Sequence, residues 1–291
     1  MKIDLSCDIY YKNAPVAQSV RASSLYLEGP WFESKQAHRM KIDSVLSLSY
    51  SIAKANFKLR NEGSYLGIFW YLLSPLSLFS ILLFIRGSIT SSEGISLYPL
   101  YLLLGLVMVN FFSQLIHAAT NVIQNNSGFI KSIKIPLEVF VLSTVIQSVF
   151  SHLFELILIA VFFIFFKVSL IGILFYLIVF AFFIVFILGL CFLFATLGLH
   201  VSDLSNIWSI ASQLLFFITP TFYVVHPGTT LYLGNLFNPI FYFVTAARDV
   251  AIYGNVPPLW MIGAIIAMSV ASFFVGYFVF NKFKGRFAEL V

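Results

Sequence analysis

One carboxylate and one imidazole stand in a stretch of this chain that is otherwise built for hydrocarbon. Glu155 and His152 lie in the apolar run 139–166, and their three-residue spacing puts them on one face of a helix. An ionisable group at membrane depth is costly, which makes Glu155 a functional candidate by default. Two chemistries fit the pair: a polar bond between helices near one membrane surface, or a proton relay in an ion- or proton-coupled carrier. A lone Glu–His pair is a thin basis for a relay, so the first is preferred. A membrane-embedded glycosyl- or acyltransferase is the weaker rival, because the spans hold one carboxylate and no paired acidic motif. No nucleotide-binding loop, metal cluster or nucleophile triad is visible. Without a glycine-rich phosphate loop ending in Lys and Ser or Thr, the chain does not split ATP in the usual way, and an ATP-driven role needs a partner.

Other positions carry a choice between structure and function. Asp203, at the start of an apolar run, reads first as a helix N-cap. Arg248 beside Asp249 is either an internal ion pair or a contact with an anionic sugar or lipid phosphate. Pro75 and Pro220 lie within apolar runs and are expected to kink them. Lys131 and Lys134 serve as membrane-face anchors or as a docking surface for a partner.

The elements that position these residues follow from composition. Of 291 residues 60% are hydrophobic and 10% charged, and a soluble fold cannot hide that much apolar surface. The net charge of +5 follows from basic residues at a membrane face and makes no case for nucleic-acid binding. Two cysteines, Cys7 and Cys191, make no disulfide framework.

A bilayer core about 30 Å thick needs roughly 20 apolar residues per helix. Charge-free windows near 66–85, 97–116, 168–199, 204–225 and 259–280 meet that length, and 139–166 meets it with Glu155 inside. The run 231–247 is also uncharged, but Gly234, Asn235 and Asn238-Pro239 interrupt it. It reads as a re-entrant or interfacial hairpin. The expected fold is an all-α membrane protein of about six transmembrane helices, with a re-entrant periplasmic hairpin before the last span. Charge bias supports six crossings with both termini inside. Lys41, Lys54, Lys58, Arg60, Lys131, Lys134, Lys282, Lys284 and Arg286 then lie inside, and Arg86, Lys167 and Arg248 outside.

Residues 40–62 precede the first span. Ile42, Val45, Leu46, Tyr50, Ala53 and Phe57 recur at helical spacing opposite Lys54 and Lys58, which predicts an amphipathic interfacial helix. The transmembrane domain is then 63–281 and a short cytoplasmic tail 282–291. The polar prefix 1–39 has no periodicity, signal peptide or lipidation motif. Its runs Val16–Ala22 and Glu28–Ser34 resemble the conceptual translation of a transfer-RNA gene.

Four ordered patches carry a family resemblance. The segment from Leu59 through Asn61-Glu62-Gly63-Ser64, Leu66-Gly67 and Trp70 to Ser74-Pro75 resembles the approach to the first span of ABC exporter permeases of the polysaccharide and polyol-phosphate class, which move O-antigens, capsules and teichoic acids. Asn61-Glu62 stands where that family has an aromatic-basic step, and Ser74 where it has Asn. Asn126 to Pro136 resembles the family's cytoplasmic loop between spans two and three. Val201-Ser202-Asp203-Leu204 through Thr219-Pro220 and Tyr223 resembles its fifth span, with Ser202 where the family usually has Arg. Asn238-Pro239 with Ala246-Ala247-Arg248 resembles its periplasmic re-entrant region.

The resemblance implies a non-catalytic permease subunit of the inner membrane. Two copies would form the pore, two separate ABC ATPase subunits would bind below, and the cargo would be a lipid-linked polysaccharide; no cofactor is implied. The expected ATPase-coupling residues are Phe129, Ile130, Lys131, Lys134 and Pro136 with Lys54, Lys58 and Arg60. Candidates for the transport path or gate are Trp70, Pro75, Glu155, Asp203, Pro220, Asn238, Pro239 and Arg248. The composition break before the amphipathic helix predicts that translation begins at Met40. Intact-mass measurement of the native protein checks this, and a chain beginning at Met1 in wild-type cells refutes it.

Overall fold

A run of twenty apolar residues leaves the backbone one local way to pair every N–H and C=O in hydrocarbon, and that way is the helix. The computed structural model describes residues 42–62, 67, 69–89, 97–132, 135–226 and 228–287. The prefix 1–39 with Met40, Lys41, residues 63–66 and Lys134 lie outside the described residues.

Every regular element among the described residues is a helix. Helix α1 spans Ile42–Asn61, α2 Phe69–Ile89 and α3 Tyr98–Thr120. Two short helices follow, α4 at Val122–Asn125 and α5 at Ser127–Ser132, then α6 at Glu138–Phe165, α7 at Ile171–His200 and α8 at Leu204–Ile218. Helices α9 (Thr230–Asn235) and α10 (Pro239–Arg248) lead into a π-helical turn at Asp249–Tyr253, and α11 closes the bundle at Leu259–Phe283. Five helices, α2, α3, α6, α7 and α11, are long and apolar enough to cross a membrane, so the chain is an all-α, multi-pass membrane protein. The 28 and 30 residues of α6 and α7 span roughly 42–45 Å at 1.5 Å per residue.

The fifth expected span is shorter than the window 204–225. Helix α8 has 15 residues and stops at Ile218, because the residue before a proline is pushed out of the helical region: Thr219 sits at φ −68°, ψ 133°. Pro220 therefore ends this helix instead of kinking it. Pro75 lies inside α2 as expected. The interrupted run 231–247 forms two short helices, and Asn238, whose side chain accepts a bond from the Ile240 N–H at 3.1 Å, caps the second with Pro239 at its first turn.

Helix α3 is buried along most of its length and forms the core with α6 and α7. Between α7 and α11, glycine replaces bulk. A Cβ on Gly276 would strike the Gly189 carbonyl, and one on Gly189 would strike the Ser272 backbone. Close approach lets Ser269 and Ser272 donate to the Phe182 and Phe186 carbonyls of α7 at 2.9 and 2.8 Å. Small residues and cross-helix hydroxyls are how helices associate where lipid is as apolar as leucine. Helix α1 packs along α6, burying Ser49, Ile52 and Ala53, and Phe57 stacks on Phe154 and Tyr71 with centroids 6.2 and 5.9 Å away. Its Leu46 and Leu59 stay exposed, as an interfacial helix requires.

Gly276→Ala is expected to cost about 1–3 kcal/mol, because backbone and not a flexible side chain must move aside. A thermal melt in detergent checks this, with Gly263→Ala, which meets open space, as the control.

Candidate functional site

Four helices of an apolar bundle each turn a polar stripe toward one space. On α6 the stripe is Ser148, Ser151, His152 and Glu155, at the three- and four-residue spacing of a single face. Helix α3 contributes Ser113, Gln114 and His117 beside Phe111, and α8 contributes Trp208, Ser209, Ser212 and Gln213. Helix α2 adds Trp70, Tyr71 and Ser74, with Arg60 and Asn61 from the end of α1. They line a cavity of about 870 Å³. Indole faces beside hydroxyl and amide groups suit a ring that is apolar on its faces and hydroxylated at its edge.

The Glu–His pair expected from sequence forms on this wall. His152 Nδ1 lies 2.7 Å from Glu155 Oε2, and the imidazole continues through Nε2 to the Tyr176 hydroxyl of α7 at 3.0 Å. The pair is thus a bond within α6, tied to α7 through Tyr176, and part of the cavity lining at once. Trp70 also reaches the cavity and is 54% exposed. Ser148, Ser151, Gln114, Trp208, Ser209, Ser212 and Gln213 were not singled out by sequence, although a polar stripe at helical spacing in an apolar run was the available signal.

Pro220, Asn238 and Arg248 gather elsewhere, around the break after α8. Arg248 is 2% exposed, and its guanidinium donates from Nε to the Tyr101 carbonyl at 3.0 Å, from Nη1 to Pro220 at 2.6 Å and from Nη2 to Thr221 at 2.8 Å. It lies over the Tyr101 ring, 3.5 Å from the centroid. Asn238 Nδ2 donates to the Thr219 hydroxyl at 2.8 Å. The guanidinium is therefore spent on backbone carbonyls, and neither an ion pair with Asp249 nor a substrate contact describes it. Asp203 stands at the N-cap position of α8, exposed, with no side-chain capping bond.

The coupling candidates are spread over the surface beside α1 and α5. Lys54, Lys58 and Arg60 are exposed on α1, and Arg60 reaches over the Tyr71 ring at 5.1 Å. Phe129 and Ile130 are half-buried against the core, Lys131 is exposed and Pro136 half-buried.

Arg248→Ala would remove three buried hydrogen bonds from a charged donor, worth about 1.5–3 kcal/mol each, and leave the Thr221 carbonyl without its donor, so a loss of at least about 3 kcal/mol is expected. Gly105→Ala should act through the same contact, since its Cβ would strike the guanidinium. Thermal unfolding of both variants checks this; a melt like wild type for Arg248→Ala would refute it.

No protein-family model matches the chain. Two proteins of Klebsiella pneumoniae named O-antigen export system permease protein RfbA are each 27% identical to it over 252 residues, covering 82% of this chain and 93% of the relative. The protein of the same name from Myxococcus xanthus is 23% identical over 248 residues, covering 84% of this chain and 95% of its own. Over more than four-fifths of its length this multi-pass membrane chain is therefore similar to O-antigen export system permeases, the class its four sequence patches resemble.

Proposed function

We propose that this chain is the membrane-spanning permease subunit of an ATP-driven exporter that moves a lipid-linked polysaccharide across the inner membrane. The observation that carries the reading is the cavity: a space of about 870 Å³ lined by indole, hydroxyl and amide groups, in a chain similar over 82% of its length to O-antigen export permeases. Both termini and the α4–α5 connection lie on the cytoplasmic side in this reading, and α9 and α10 form the periplasmic re-entrant hairpin. Helices α2 and α8, which border the cavity, present Phe69, Phe84, Ile207, Ile210, Leu214 and Phe217 outward. A second copy of the chain seated there would close two half-cavities into one path.

ATP hydrolysis belongs to a separate subunit, present in two copies. Its work enters through α1 and residues 126–136, where Phe129 and Ile130 rest on the core while Lys131 faces outward. A second reading, an ion-coupled carrier, is favoured by the buried Glu155–His152 pair. The two readings part on the energy source.

Surface polymer is expected to vanish when the Walker lysine of the partner ATPase is replaced, and to fall when Phe129→Ala and Ile130→Ala are combined, with loss of ATPase co-purification. Export that survives ATPase inactivation would replace the exporter with the carrier. Undiminished association in both Phe129→Ala/Ile130→Ala and Lys131→Gln/Lys134→Gln would move the coupling surface elsewhere.

A further inference from the structure

The two oxygens of Glu155 do different things. Oε2 is held by His152, and the imidazole is itself clamped: it is buried, stacks on Phe180 with centroids 4.0 Å apart, and has Tyr176 behind it. With the Tyr176 hydroxyl donating to Nε2 and Nδ1–H donating to the carboxylate, three side chains make one hydrogen-bonded line from α7 to the cavity wall. Oε1 takes no hydrogen bond from the described residues, and Glu155 lines the cavity. Such a line fixes the rotamer of a carboxyl group and leaves one acceptor oxygen for a ligand.

The surroundings say which ligand. Ser148 and Ser151 share the stripe, and the indoles of Trp70, 54% exposed, and of the buried Trp208 line the same cavity. Sugar hydroxyls donate to a carboxylate oxygen with charge-assisted strength while the ring face stacks on indole. A uronate or phosphate meets the same oxygen as a like charge in a wall of low dielectric. The one Lys or Arg on the cavity lining among the described residues is Arg60, at the end of α1.

We propose that Glu155, oriented by His152 and Tyr176, is a selectivity subsite of the transport cavity that accepts an uncharged, hydroxyl-rich sugar unit and rejects polymers whose repeat carries carboxylate or phosphate. This deepens the exporter reading and rests on it. Glu155 is the contact residue; His152 and Tyr176 are positioning residues.

The full chain with its ATPase, in nanodiscs, is titrated with a neutral manno-oligosaccharide and with an oligogalacturonate of equal length, and tryptophan quenching reports binding. The wild type is expected to prefer the neutral glycan by at least about tenfold, the scale of one charge-assisted hydrogen bond gained or one like charge met. Glu155→Gln should erase most of that preference while keeping the shape of the side chain. Tyr176→Phe, which leaves the cavity surface intact, should reduce the preference by about threefold; it decides the matter alone should Glu155→Gln fail to insert. A preference unchanged in both variants, with surface polymer still exported, overturns the subsite and leaves the exporter standing. A wild type that prefers the acidic glycan also overturns it. A wild type that binds neither glycan and exports no polymer sinks the exporter reading, and the subsite with it.

Discussion

The constraint on which the rest of this structure depends is that no backbone carbonyl at membrane depth goes without a donor. It is met most visibly where helix fails. From Phe216 to Tyr223 the chain leaves α8 and runs irregularly, yet all eight carbonyls accept a bond. The Thr221 hydroxyl is shared between those of Phe216 and Thr219, and the Tyr223 hydroxyl between those of Phe217 and Ile218. Arg248 serves Pro220 and Thr221, Tyr98 serves Phe222, and Tyr101 serves Tyr223. Irregular backbone is tolerated in such a setting only when protein answers it. A single guanidinium supplies the densest part of the answer, since its rigid fork presents several donors at once, and the Tyr101 ring face offsets its charge.

The same constraint explains what could be read in the sequence. The long helices were legible because hydrophobic length is a local property, and five windows became five helices within a few residues of their expected ends. Thr219-Pro220 was visible too, but its consequence depends on whether a helix kinks through a proline or ends before it. That choice is made by donors 27 to 124 residues away, in Arg248, Tyr98 and Tyr101. Arg248 drew two readings from its neighbour Asp249, whereas its partners are carbonyls, which have no side-chain signature. An arginine at the end of the charge-free stretch 231–247 was the clue that it is buried with company.

The cavity divides the same way. Glu155 and His152 declared themselves by charge and by spacing on one helix, while Tyr176 needed the packing of α7 against α6. The serines and glutamines of the wall were legible only as a stripe, because a lone Ser in a span is satisfied by its own helix, as Ser151 is by the Gln147 carbonyl and Ser212 by that of Ser209. Such residues cost little to bury and can still turn a hydroxyl outward. A wall built from them is polar enough for a sugar without disrupting the helices that carry it.

Packing is distributed unequally around that wall. Helices α7 and α11 meet backbone to backbone through Gly189 and Gly276, and α3 touches α7 where Gly198 lies against the Thr120 carbonyl. Contacts of that kind have no slack. Helix α8 is different: Trp208 is its one buried residue, donating from Nε1 to the Ser113 carbonyl at 2.9 Å, and its far end is held through the Arg248 cluster. Between those two anchors Ile210, Leu214 and Phe217 face outward. A helix fixed at both ends and unpacked along one side has few contacts to lose when it tilts, whereas α3 and α7 would open a cavity in a close-packed core. If the volume of this site changes during a transport cycle, the cheapest displacement is of α8 and the similarly exposed α2, with α3, α6 and α7 as the fixed wall. Glu155 then sits on the side that stays still, where a rotamer locked by His152 and Tyr176 keeps its aim while the opposite wall moves.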